Sequence, residues 1–161
     1  MDGREHSIKG KWDLIIAHPP CTYLSKVATR HLFKNGVINQ ERYEKGLEAK
    51  DFFMKLYMAD CEKIAVENPV PFKMFELPER TQIIHPCYFG DPYKKMTCLW
   101  LKNLPKLIPT NIVEGQTTYS EKSWYNKGYG KERQRNRAKT FPGIAKAMAE
   151  QWGNVNTNKL N

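Results

Sequence analysis

Hydrophobic positions fall along the chain in short, separated bursts, and their spacing assigns most of the elements. The first burst, Lys11 to Ala17 (KWDLIIA), is Ile-rich and closed by His18-Pro19-Pro20, and it reads as a buried strand. Residues 22–39 are mixed and predict a short helix or mobile loop around Ser25 to Phe33. Asn39 is an N-cap candidate for a helix from Gln40 to about Ala59, in which Tyr43, Leu47, Phe52, Phe53, Leu56 and Tyr57 recur at roughly helical spacing. Lys63 to Val66 reads as a second strand that ends in Glu67-Asn68-Pro69. Strand, helix and strand, with polar and proline residues at both strand ends, predict a βαβ unit with parallel strands.

Beyond it, residues 70–80 (VPFKMFELPER) form an excursion rich in proline and phenylalanine. Thr81 to Ile84 predicts a short strand, Phe89 to Tyr93 (FGDPY) a turn, and Lys95 to Leu101 (KMTCLWL) another strand. Asn103 to Val113 is loop-like, and 114–139 reads as a polar, basic loop. Thr140 to Trp152 predicts a helix capped around Thr140, with Ile144, Ala147, Met148 and Trp152 on one face. No internal repeat is visible. The 161 residues suit one domain, with flexible ends at 1–10 and 153–161.

Charge changes the picture more than composition does. The formal net charge of +9 favours a polyanionic partner, DNA foremost. The segment 122–139 interleaves Lys131, Arg133, Arg135 and Arg137 with other cations and with Trp124, Tyr125 and Tyr129, as phosphate contacts and stacking surfaces require; a merely solvated loop is the equal alternative. The first residues are polar, and the longest apolar run, Leu14 to Ala17, is too short to span a bilayer, so the expectation is a soluble, cytoplasmic protein without a membrane partner. Cysteines at 21, 61, 87 and 98 show no CxxC spacing, so neither a metal site nor a disulfide framework is expected.

Three places carry candidate chemistry. Open α/β sheets hold ligands at the carboxyl ends of their strands, and Cys21 and Glu67 both fall just past predicted strand ends. Cys21 sits on a proline-stiffened turn, where a thiolate would be held for attack on an electrophile; a small core cysteine is the plainer reading. Glu67 would hold or protonate a ring nitrogen, unless it is only a turn carboxylate. Lys94 and Lys95 follow the FGDPY turn and would approach a substrate or its phosphate, unless they are solvated. His18 would either stabilise a Cys21 thiolate or simply bond the backbone at a strand end, and the second reading is favoured.

Together, their order and spacing resemble the DNA cytosine-5 methyltransferase family. Trp12-Asp13-Leu14-Ile15 leading to Pro19-Pro20-Cys21 matches that family's Pro-Pro-Cys strand end, and Ser25 matches a serine common shortly after it. Glu67-Asn68 matches its Glu-Asn motif. Phe89 to Thr97 (FGDPYKKMT) matches its Tyr-Gly-x-Pro-Gln-x-Arg-x-Arg stretch in outline only, with Tyr93 in place of the glutamine, and Lys95 and Thr97 in place of the arginines. GIAKAMAEQWG resembles the closing helix of a phage- and prophage-type branch. The resemblance covers about Lys11 to Gly153.

The resemblance implies a Rossmann-like α/β sheet, mostly parallel and flanked by helices, and N-terminally truncated. It implies that Cys21 attacks carbon 6 of a cytosine, that Glu67 holds the ring nitrogen and exocyclic amine, and that Lys95 stands at a catalytic position. Pro20, Ser25, Asn68 and Tyr93 would line the base, and S-adenosylmethionine would supply the methyl group. The family's glycine turn and acidic ribose anchor for that cofactor have no counterpart in the eleven residues before Trp12. The chain would then be a fragment, a half-enzyme completed by a partner chain, or a non-catalytic nucleic-acid or nucleotide binder on the same fold. Exposed sheet edges would invite a homodimer or that partner chain.

Overall fold

The β-branched and aromatic runs of the sequence meet in one four-stranded sheet, seen in a computed structural model that describes residues 10–117 and 128–153. Its strands are β1 (Ile15–Ala17), β4 (Ile64–Pro69), β7 (Thr97–Lys102) and β5 (Gln82–Ile84), in the order β1-β4-β7-β5. The βαβ expectation holds: β1 and β4 pair in parallel, Ile15 against Ile64, across α1 (Gln40–Tyr57). Asn39 caps α1, its side chain accepting from the Arg42 amide at 3.1 Å.

The expectation of a mostly parallel sheet is corrected. β7 runs antiparallel to both β4 and β5, so one of the three pairings is parallel. A parallel neighbour for β4 needs a long crossover. The chain instead turns at Phe89–Tyr93 and sends β7 back between β4 and β5, where all its residues but Lys102 are buried. β1, β4 and β5 still point the same way.

Side chains alternate across β4 and β7. Ile64, Val66, Cys98 and Trp100 face one core, under α1, together with Leu24, Phe53 and Phe75. Ala65, Leu99 and Leu101 face the other, under α3 (Pro142–Trp152), whose Ile144, Ala147, Met148 and Trp152 are buried as the sequence predicts. The sheet is thus a middle layer between helices. The indole of Trp100 donates to the Pro78 carbonyl at 2.7 Å and that of Trp152 to the Pro105 carbonyl at 3.0 Å, which satisfies both buried rings.

Smaller elements depart from the expectations in instructive ways. β1 is shorter than Lys11–Ala17, because pairing with β4 starts at Ile15 and Trp12 is exposed. Residues 26–31 form a tight helical turn, followed by a hairpin of β2 (Phe33–Lys34) and β3 (Val37–Ile38) whose tip, Asn35-Gly36, takes positive φ at both residues. β6 (Tyr93–Lys94) pairs with β8 (Gln116–Thr117). The basic loop expected over 114–139 is corrected at its far end, where Gly130–Ala138 forms α2, a run of residues with high helix propensity once Gly130 has opened it. Residues 118–127, and all but Gly10 and Gly153 of the expected flexible ends at 1–10 and 153–161, lie outside the described residues. Among the described residues no helix is long and apolar enough to cross a membrane.

Candidate base-binding site

The parallel register of β1 on β4 does not stop with the strand. Ile15, Ile16 and Ala17 lie opposite Ile64, Ala65 and Val66, and the same offset of 49 residues continues in side chains past the end of β1. His18 Nδ1 lies 3.0 Å from Glu67 Oε2. The Asn68 amide donates to the Pro19 carbonyl at 2.9 Å. Both contacts seat the Pro-Pro-Cys turn at the end of β4. The His18 expectation is thereby corrected: its ring bonds the Glu67 carboxylate rather than the backbone. Glu67 is also one step removed from its expected place, since it sits inside β4, half-buried.

The turn is held from its other side as well. Ser25 donates its amide to the Cys21 carbonyl at 3.0 Å and is itself buried, bridged to Pro71. From α1, the Arg42 guanidinium donates to the Thr22 carbonyl at 3.1 Å and lies 4.9 Å above the Tyr23 ring. Cys21 therefore rides on a turn fixed to β4 and α1 alike, and it is half-buried. Pro20 is exposed beside it.

Glu67 also lines a small recess with Lys95, Thr97, Lys139, Thr140, Phe141 and Ile144. The space suits about one water molecule, about 10 Å³. Lys95 follows β6, and its ammonium lies 5.5 Å from the centre of the Phe141 ring. Glu67 and Lys95, far apart in sequence, are thus brought to one place, and Lys139 and Thr140 join them from the link between α2 and α3. Tyr93 goes elsewhere: it packs on Phe141 with ring centres 5.7 Å apart, in the core under α3. Ser25 lies with the turn, not at the recess. Lys131, Arg133, Arg135 and Arg137 fall on α2, where Lys131 and Arg135 are exposed.

Sequence reasoning weighed His18 only against Cys21 and the backbone, and it gave Arg42, Lys139 and Thr140 no place in this site. The first had a readable signal: once IIA is set against IAV in parallel, His18 must come opposite Glu67. The others depend on how α1 and α3 dock, which no local pattern encodes.

The four cysteines form no disulfide. Cys61 donates to the Trp12 and Lys63 carbonyls at 3.1 and 3.2 Å. Burial pushes the Cys98 thiol above its ordinary range, with Glu67 adding to the rise and Arg80 opposing it. Burial and the Lys94 charge hold His85 below the usual imidazole range. Brief treatment of the folded chain with iodoacetamide should therefore label Cys21 at least roughly tenfold faster than the buried Cys61, Cys87 and Cys98, read by peptide mass spectrometry. Equal labelling of Cys98 would mean that the sheet opens on that timescale.

No metal-binding group of three or more His, Cys, Asp or Glu side chains occurs among the described residues. S-adenosylmethionine fits these residues poorly. Among them, no glycine turn leads from a strand of the sheet into a helix N-terminus, and the recess beside Glu67 is far smaller than the cofactor. No protein-family model, curated protein or solved structure matches the chain.

Proposed function

We propose that this chain acts on nucleic acid by engaging a cytosine base through Cys21 and Glu67, as the cytosine-5 methyltransferases it resembles do. The observation that carries the reading is the continued β1–β4 register, which seats the Pro-Pro-Cys turn beside Glu67-Asn68 through the His18 and Asn68 contacts. A thiol and a carboxylate at one sheet end are what addition to a pyrimidine needs: the thiolate attacks carbon 6 while the carboxyl group engages ring nitrogen 3. Addition itself needs no methyl donor. Lys95 and Lys139 would meet phosphate or base oxygens, the α2 cations the backbone, and the base would reach the site by leaving its stack. DNA is the proposed partner, and a reducing, cytoplasmic setting would keep Cys21 a thiol.

A second reading, binding without chemistry, is favoured by one observation: the recess beside Glu67 holds about one water, not a base. In the first reading the Lys95 and Lys139 side chains move aside when the base enters.

One experiment separates them. Reversible thiol addition makes the hydrogen on carbon 5 exchange with water, so DNA tritiated at carbon 5 of cytosine should release tritium when incubated with the wild-type chain. Release above the protein-free rate supports the first reading. Binding in a salt-dependent gel shift without release leaves the second. Neither binding nor release overturns both.

A further inference from the structure

Glu67 does not stand alone. Its Oε2 is 3.0 Å from His18 Nδ1, with the histidine side chain 33% and the glutamate 18% exposed. The other groups facing Glu67 are Lys95 and Lys139 across the recess, while Cys98 on β7 senses its charge together with that of Arg80. A carboxyl group that hands a proton to a base regains one from water or from a neighbouring acid, and a neighbour in hydrogen-bond contact is the shorter route. Among the described residues that contact or face Glu67, His18 is the one imidazole, the side-chain type suited to passing protons near neutrality.

We infer that His18 is a positioning residue for Glu67, fixing its carboxylate at the end of β4 and resupplying the proton that Glu67 passes to the base. The role rests on the base-addition reading above. In the addition, Cys21 gives its thiol proton to water, the sulfur bonds to carbon 6 as the bond between carbons 5 and 6 loses its π pair, and carbon 5 takes a proton from water. Ring nitrogen 3 takes the Glu67 proton, and His18 Nδ1 returns one to Glu67 Oε2. Elimination reverses each transfer: the sulfur–carbon bond breaks and carbon 5 loses a proton. No electrons are gained or lost overall, and no co-reactant is consumed. His18 is exposed enough to exchange its proton with water.

The test is the pH profile of tritium release for wild type, His18→Gln and Glu67→Gln. Glutamine at position 18 still donates a hydrogen bond but cannot relay a proton. His18→Gln should lower release about tenfold or more near neutrality and shift the pH profile of what remains. On the Glu67→Gln background, adding His18→Gln should change nothing further. Cys21 alkylation at the wild-type rate in His18→Gln shows that the turn is intact. An unshifted profile in His18→Gln, with wild-type release preserved, overturns the role of His18 alone. No release from wild type overturns the base-addition reading, and this role with it.

Discussion

Gly143→Ala is expected to lower the melting temperature by roughly 5–10 °C, at a cost of about 2–3 kcal/mol. Ordinary helix propensity argues the other way, since alanine in a helix is favoured over glycine by about 0.5–1 kcal/mol. Sterics decide the sign. A Cβ on Gly143 would lie 1.9 Å from the Phe89 carbonyl oxygen, a backbone atom that cannot swing aside. The same approach lets the Gly143 amide donate to Asp91 Oδ2 at 2.8 Å, which caps the first turn of α3 from the FGDPY turn. Relief of the clash requires α3 to slide, and α3 carries Ile144, Ala147, Met148 and Trp152 into the core. Thermal denaturation of Gly143→Ala beside Ala145→Ser, an exposed position on the same helix, checks this. Equal melting of the two would mean that α3 does not dock on Phe89.

That contact also shows why α3 was only partly legible. Its apolar face could be read, because Ile144, Ala147, Met148 and Trp152 recur at helical spacing. Its cap could not. Thr140 was the local candidate, but the helix starts after Phe141, and Asp91 from a distant turn takes the orphan amide. α1 behaves differently because its start signal is local: Asn39 caps it as the sequence predicts, and only its C-terminal end falls short of Ala59, at Tyr57. The sheet strands β4, β5 and β7 were legible to within a few residues, each being a short apolar run, whereas β6 and β8 fell in segments read as a turn and a basic loop. Their order was not. Whether β7 lies beside β4 or outside β5 depends on long-range burial, and TCLWL is apolar enough to serve in either place.

The site divides along the same line. Cys21, Glu67 and Asn68 were visible because prolines and polar residues interrupt apolar runs at strand ends. The pairing of His18 with Glu67 follows from strand register, a step that the hydrophobic pattern already implied. The approach of Lys139 and Thr140 to Glu67 follows from α3 docking through Gly143 and Phe141, which no motif announces. The motifs named Cys21, Glu67 and Asn68, while the packing of α3 brings Lys139 and Thr140 beside Glu67.

Cys21→Ala is expected to abolish tritium release from cytosine to the protein-free rate, while DNA affinity in the same buffer changes less than about twofold. The first half follows from chemistry: alanine offers no nucleophile, and no other thiol can substitute, because Cys61, Cys87 and Cys98 are buried. The second half follows from where affinity comes from. Phosphate contacts by cations dominate binding to nucleic acid, and Cys21 carries none. The turn itself should survive, since its anchors are the Pro19 and Thr22 carbonyls, held by Asn68 and Arg42, and the Cys21 carbonyl, which alanine retains. Melting within about 2 °C of wild type would confirm that the fold is intact, as loss of a half-buried thiol removes little apolar contact. Cys21→Ser sharpens the comparison: a hydroxyl of similar size keeps the shape of the site but is far less nucleophilic near neutral pH, so it should also be silent. Release retained by Cys21→Ala would place the chemistry elsewhere, and loss of DNA affinity together with release would mark Cys21 as a structural residue of the turn rather than the group that attacks the base.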